Sequence, residues 1–75
     1  MMRSIYHGKV ALVATWIEYG LLDTECGSRA ETLAEVSQSI RRRAGNEQID
    51  TAQLADGIRS AARRGIITKA EAKLL

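Results

Sequence analysis

Seventy-five residues, 45% hydrophobic and 27% charged, make one domain with a single modest core, too small for a multi-step enzyme and too apolar for a wholly disordered chain. The lone cysteine, Cys26, excludes an internal disulfide, and the longest uncharged apolar run, VALVATWI, is too short to cross a bilayer; with no secretory h-region at the start, a cytoplasmic protein with no membrane partner is expected. The net charge of +2 is unevenly placed, −2 over residues 1–40 and +4 over residues 41–75, where eight basic side chains face four acidic ones. That asymmetry suits an acidic partner, although cations near helix C-termini are also favoured locally.

Proline is absent and alanine, leucine, glutamate, glutamine, lysine and arginine dominate, which leans toward helix at nearly every position. The breaks fall at Gly20, at CGS, at AGN and at Gly65, so the expected fold is all-α, one small compact bundle of about four helices spanning residues 1–75. The first segment, roughly residues 5–19, carries no charge from Val10 to Ile17 and is apolar nearly all round; such a helix is usually buried, so it should be central. A small domain cannot easily surround a helix, and any exposed remainder of its surface would mark a dimer or partner interface. After Gly20, the run GLLDTEC predicts an aliphatic return onto the core at Leu21 and Leu22, with Asp23 or Thr24 capping a short turn.

The second segment, residues 29–44, opens on SRAE, where Ser28 and Glu31 have capping-box spacing, and buries Leu33, Val36, Ile40 and Ala44 at steps of three and four. The third, residues 51–64, opens on the variant box Asp50 and Gln53, with Ile49 and Leu54 placed as a hydrophobic staple. Its stripe of Leu54, Ile58, Ala61, Ala62 and Gly65 is narrow and small, predicting close approach of another helix, and Asp56 with Arg59 predicts an i,i+3 ion pair. The fourth, residues 69–75, follows the box Thr68 and Glu71 and offers Ala70, Leu74 and Leu75 to the core. In GIITKAE a left-handed glycine, two isoleucines folding back and a capping threonine form a complete stop and restart. The run RRGIITKAEAKLL resembles the short C-terminal helical domain family, whose members read as a helix, a glycine, IIT and an acidic-started second helix. The likeness spans about the last 15 residues, lacks the aromatic residue usual in the family's final helix, and implies no function.

Catalytic signals are missing. There is no glycine-rich phosphate loop, CxxC or HExxH, and His7 is the only histidine, so neither paired-histidine metal sites nor a serine triad with a spare histidine can be assembled; no catalytic residue, metal or cofactor is expected. His7 reads as a surface residue of a first helical turn. Cys26, two residues before Ser28 and near Arg29, has one feature of an activated thiol, but Glu25 adjoins it and no second cysteine can resolve an oxidised form, so it reads as an ordinary loop cysteine.

The arginines are the most distinctive polar feature. Arg41, Arg42 and Arg43 step by about 100° each and ring a helix end rather than face one ligand. Arg59 and Arg63 share a face with Arg64 beside them, and antiparallel second and third helices would put the two clusters at opposite ends. Together with Trp16 and Tyr19, these are the residue types that most often anchor interfaces, although Trp16 itself is expected to serve as the core's largest side chain. The reading is a non-catalytic macromolecular-binding module, an adaptor or stoichiometric inhibitor docking on a larger protein by its first helix with an arginine-rich rim. In size and lack of catalytic motifs the chain is similar to short mobile-element and phage accessory proteins, anti-CRISPR proteins among them. A homodimer through the first helix is the related option. The alternative is a helix-turn-helix-like DNA regulator using residues 50–65, with Gln53, Arg59, Arg63 and Arg64 on bases and phosphates; Asp50 and Asp56 and the lack of a basic arm or wing oppose it.

Overall fold

Helix propensity and capping produce four helices in the computed structural model, which describes residues 5–23 and 27–75: α1 (Ile5–Asp23), α2 (Arg29–Asn46), α3 (Thr51–Arg63) and α4 (Lys69–Ala72). No strand occurs among the described residues. Helix α1 lies between α2 and α3 and packs on both, while α4 packs on α3, so the all-α bundle with a central first helix is the observed architecture. The core gathers Val13, Ala14 and Ile17 of α1, Leu33, Val36, Ile40 and Ala44 of α2, Ile58 and Ala61 of α3, and Ile49, Ile67 and Leu75 from the connections and the tail.

Helix α1 does not stop at Gly20. It continues to Asp23, because an interior glycine costs only about 1 kcal/mol and this one serves packing: a Cβ there would sit 3.1 Å from Val36 Cγ2 of α2. The aliphatic return expected at Leu21 and Leu22 is therefore absent; Leu21 packs against the core as part of the helix and Leu22 points outward, 71% exposed. Asp23 is the last residue of α1 rather than a cap, and Thr24 and Cys26 lie outside the described residues.

The helix starts follow the sequence closely. Asp50 with Gln53 and Thr68 with Glu71 form complete capping boxes, each cap side chain accepting from the third helical N–H and each return side chain accepting from the cap residue's N–H. The box at α2 is half formed: Ser28 Oγ accepts from the Glu31 N–H at 3.2 Å, while the Glu31 carboxylate accepts from that same hydroxyl. Glu71 carries a second duty, holding Arg29 Nε at 2.7 Å and so tying α4 to the start of α2.

The helix ends differ from expectation in a useful way. Helix α2 runs through Gly45 to Asn46, and the left-handed residue is Gln48 at φ 56°, with the Ile49 N–H donating to Ala44 O at 2.9 Å, a Schellman closure built on a non-glycine residue. Gly65, at φ 77°, closes α3 as expected: the Ile66 N–H donates to Ala61 O and the Gly65 N–H to Ala62 O. Helix α4 is shorter than expected and ends at Ala72, yet Leu75 still reaches the core, whereas Ala70 and Leu74 are exposed. Left-handed backbone costs an L-residue about 1–2 kcal/mol, partly offset by the extra unfolded-state freedom of glycine. Gln48→Gly is therefore expected to raise stability by about 0.5–1 kcal/mol and Tm by a few degrees, read by thermal denaturation; no rise would mean that Gln48 is not strained.

Candidate interaction surfaces

Both sides of α1 carry apolar side chains, and one of them packs on α2 and α3. Val10, Val13, Ala14 and Ile17 face α2 and α3 and are buried. Ile5, Leu12 and Tyr19 recur every seven residues on the other side, with Leu22 three beyond Tyr19, and are 79%, 38%, 59% and 71% exposed. Trp16, four residues from Leu12 and three from Tyr19, flanks this row. It is half-buried at the core's edge with the Arg43 guanidinium 5.7 Å above its ring, so it is not the core's largest buried side chain; Ile17 and Ile40 hold that place. Since Val10 and Ala14 are buried inside the chain, a dimer using them is excluded, and any self-contact through α1 must use the outer row.

The six arginines of the two clusters divide by duty. Arg41 donates to the main-chain carbonyl of Leu75 and to Ser37 Oγ at 2.6 Å, which fixes the tail against α2. Arg43 covers Trp16, and Arg42 is exposed beside them. On α3, Arg59 pairs with Asp56 as its spacing predicts, and Arg64 is the exposed C-cap. Arg59 and Arg63 both line two clefts, neither of which includes Arg41, Arg42 or Arg43.

The first cleft, about 520 Å³, runs between α3 and α4. Ala55, Ile58 and Ala62 of α3 and Ala72 of α4 make its floor; Arg59 and Arg63 line one wall, Lys69 and Lys73 the other, and no acidic side chain contributes. The second, about 230 Å³, is polar and joins Tyr6, His7 and Val10 of α1 to Asp56, Arg59 and Arg63 of α3. Here the Tyr6 hydroxyl donates to Asp56. That bond, and after it Arg59, holds the Asp56 carboxyl below its usual range, while Tyr6 is held above the usual phenol range by the same bond. His7 meets the Tyr6 ring edge-on at 5.8 Å. Among the described residues no cluster of three or more His, Cys, Asp or Glu could hold a metal ion, and no helix is long and apolar enough to cross a membrane.

Gln53, assigned to base edges in the DNA alternative, is 7% exposed, and its side-chain oxygen accepts from the Asp50 N–H, so it is committed to the cap. Sequence reading missed Lys69 and Lys73 as partners of Arg59 and Arg63; the only signal was their matching i,i+4 spacing on either side of the Gly65 turn.

Glu71 is pulled down to about pKa 2, first by the Arg29 guanidinium and then by the Thr68 N–H. A carboxylate depressed in the folded state contributes stability that is complete above its unfolded pKa, about 4.3, and is lost as pH falls toward 2. Glu71→Gln keeps the box but not the charge, and its Tm is expected to fall less steeply than that of the parent between about pH 5 and pH 2. Parallel slopes would show that the Arg29 bridge contributes nothing.

Comparison with known proteins finds no match to this chain among family models, curated proteins or solved structures. The likeness of the last residues to a helical-domain family thus rests on the turn and cap of GIITKAE alone.

Proposed function

We propose that the chain is a non-catalytic protein-binding module, an adaptor or stoichiometric inhibitor that docks on a larger protein through the outer face of α1. The observation that carries this reading is the exposed apolar row Ile5, Leu12, Tyr19 and Leu22, set directly opposite the core face of the same helix. None of the four belongs to the core cluster of the described residues, and each apolar Å² they would cover on docking is worth about 25 cal/mol. Trp16 and Arg43 at the edge of the row supply the residue types that anchor such contacts.

The test is affinity purification from the native host with the parent chain and with Leu12→Glu/Tyr19→Glu. Both positions are exposed, so the double variant should fold with an unchanged circular dichroism spectrum. A protein recovered in stoichiometric amounts with the parent and lost by about tenfold or more with the variant is the expected result. Equal recovery with both would sink the reading. A concentration-dependent dimer in light scattering, abolished by the same substitutions, would replace the larger protein by a second copy.

A further inference from the structure

The cleft between α3 and α4 is a second surface, independent of the α1 face, and its chemistry is specific. Three of its four floor residues are alanines, Ala55, Ala62 and Ala72, with Ile58 beneath. Small side chains between two helices leave room that the chain itself does not fill, and at about 520 Å³ the space falls within the range of ligand-binding clefts. The floor residues on α3 follow an i, i+3, i+7 row, so the depression is a groove along the helix rather than a round cup. Its walls are cationic on both sides.

The spacing of those cations identifies the shape of the occupant. Arg59 and Arg63 are four residues apart on α3, a rise of about 6 Å, and Lys69 and Lys73 are four apart from the first residue of α4 to its C-cap. Carboxylates at i and i+4 of another α-helix have that same separation. Arg59 is already paired with Asp56, whereas Arg63, Lys69 and Lys73 hold no salt bridge among the described residues. Nucleic acid would satisfy the cations but leave the apolar floor facing a phosphate backbone. An acidic amphipathic helix satisfies both, its apolar row in the groove and its two acidic flanks on the two walls.

We propose that the α3–α4 groove binds an acidic amphipathic helix of a partner protein, held by aliphatic side chains over Ala55, Ala62 and Ala72 and by carboxylates on Arg63, Lys69 and Lys73. The groove shares no residue with the outer row of α1.

The experiment uses the full chain and a fluorescein-labelled synthetic helical peptide, with leucines at alternating three- and four-residue steps and glutamates four apart on both flanks. Fluorescence anisotropy is read at low and high salt. Saturable binding that weakens with salt, and weakens about tenfold or more in Lys69→Glu/Lys73→Glu, is expected. Both lysines are exposed, and thermal denaturation of the double variant checks that it folds. Ala62→Gln, which places a polar side chain in the groove floor without altering charge, is expected to weaken the same peptide at both salt concentrations. No saturable binding, equal binding of a peptide with glutamine in place of every glutamate, or unchanged affinity in the lysine variant would each overturn the proposal. So would tighter binding of duplex DNA, or of phosphatidylglycerol–phosphatidylcholine vesicles, than of the acidic peptide.

Discussion

Gly57→Ala is expected to lower Tm by about 10 °C, even though alanine is the better helix former. A Cβ on Gly57 would lie 2.5 Å from Val13 Cγ1, nearer still to Val13 Cβ, and 3.1 Å from Val10 O. Neither side of this contact can give way. Val13 is completely buried with one preferred χ1 in a helix, and Val10 O belongs to the backbone of α1. Overpacking of this kind costs about 1–3 kcal/mol and occasionally more, against a propensity gain of about 1 kcal/mol. With backbone in contact the upper end applies, leaving a net loss of about 2 kcal/mol and, for a domain of this size, about 4–8 °C per kcal/mol. Thermal denaturation followed at 222 nm measures it. A neutral or higher Tm would mean that α1 and α3 are farther apart than Gly57 implies. Gly57→Leu, with more atoms directed at Val13, is expected to prevent folding.

That same contact shows what a sequence can and cannot disclose. The stripe Leu54, Ile58, Ala61, Ala62 and Gly65 announces a close helix neighbour, and its first four members pack in or against the core, whereas Gly65 lies past the end of α3 and is exposed. Which small residue makes the contact depends on how α1 is rotated, and periodicity within α3 is silent on that. Gly20 and Gly65 illustrate the reverse error. Both precede two aliphatic residues, but only Gly65 is followed by a complete box at Thr68 and Glu71, and only Gly65 ends a helix. Gly20 is small because Val36 lies over it. At the break expected at AGN, the left-handed residue is Gln48 rather than a glycine, with the Ile49 N–H reaching back to Ala44 O as Ile49 enters the core.

The candidate surfaces were legible in unequal measure. The outer row of α1 follows from a helix apolar all round in a chain too short to enclose it. The α3–α4 groove does not, since it depends on the fold of the Gly65 turn to set Lys69 and Lys73 opposite Arg59 and Arg63. Arg41, read as one of the interface arginines, also bonds to Ser37 and to Leu75; the four-residue step from Ser37 accounts for its two bonds to that residue, and nothing in the sequence announces the one to Leu75.

Ile17→Ala is expected to remove a large share of the stability of the domain, while Leu22→Ala, on the same helix, is expected to change it by less than about 0.5 kcal/mol. Ile17 is fully buried among the residues that join α1 to the rest of the bundle, and truncating a buried isoleucine costs about 2–5 kcal/mol through lost transfer energy and the cavity left behind. A chain of this length has roughly 4–11 kcal/mol in total, so the variant should melt at least about 8 °C lower, by about 4–8 °C per kcal/mol, or fail to fold. Leu22 is 71% exposed and gives up little on truncation. The pair separates two explanations for the all-round apolarity of α1. If both faces served the fold, both substitutions would destabilise; if only the inner face does, the outer leucine can be removed without loss of structure, and its apolar character is kept for a contact outside the chain. Urea denaturation of the two variants decides between them. A loss at Leu22 approaching that at Ile17 would show that the outer row is part of the fold and would withdraw it as a docking surface.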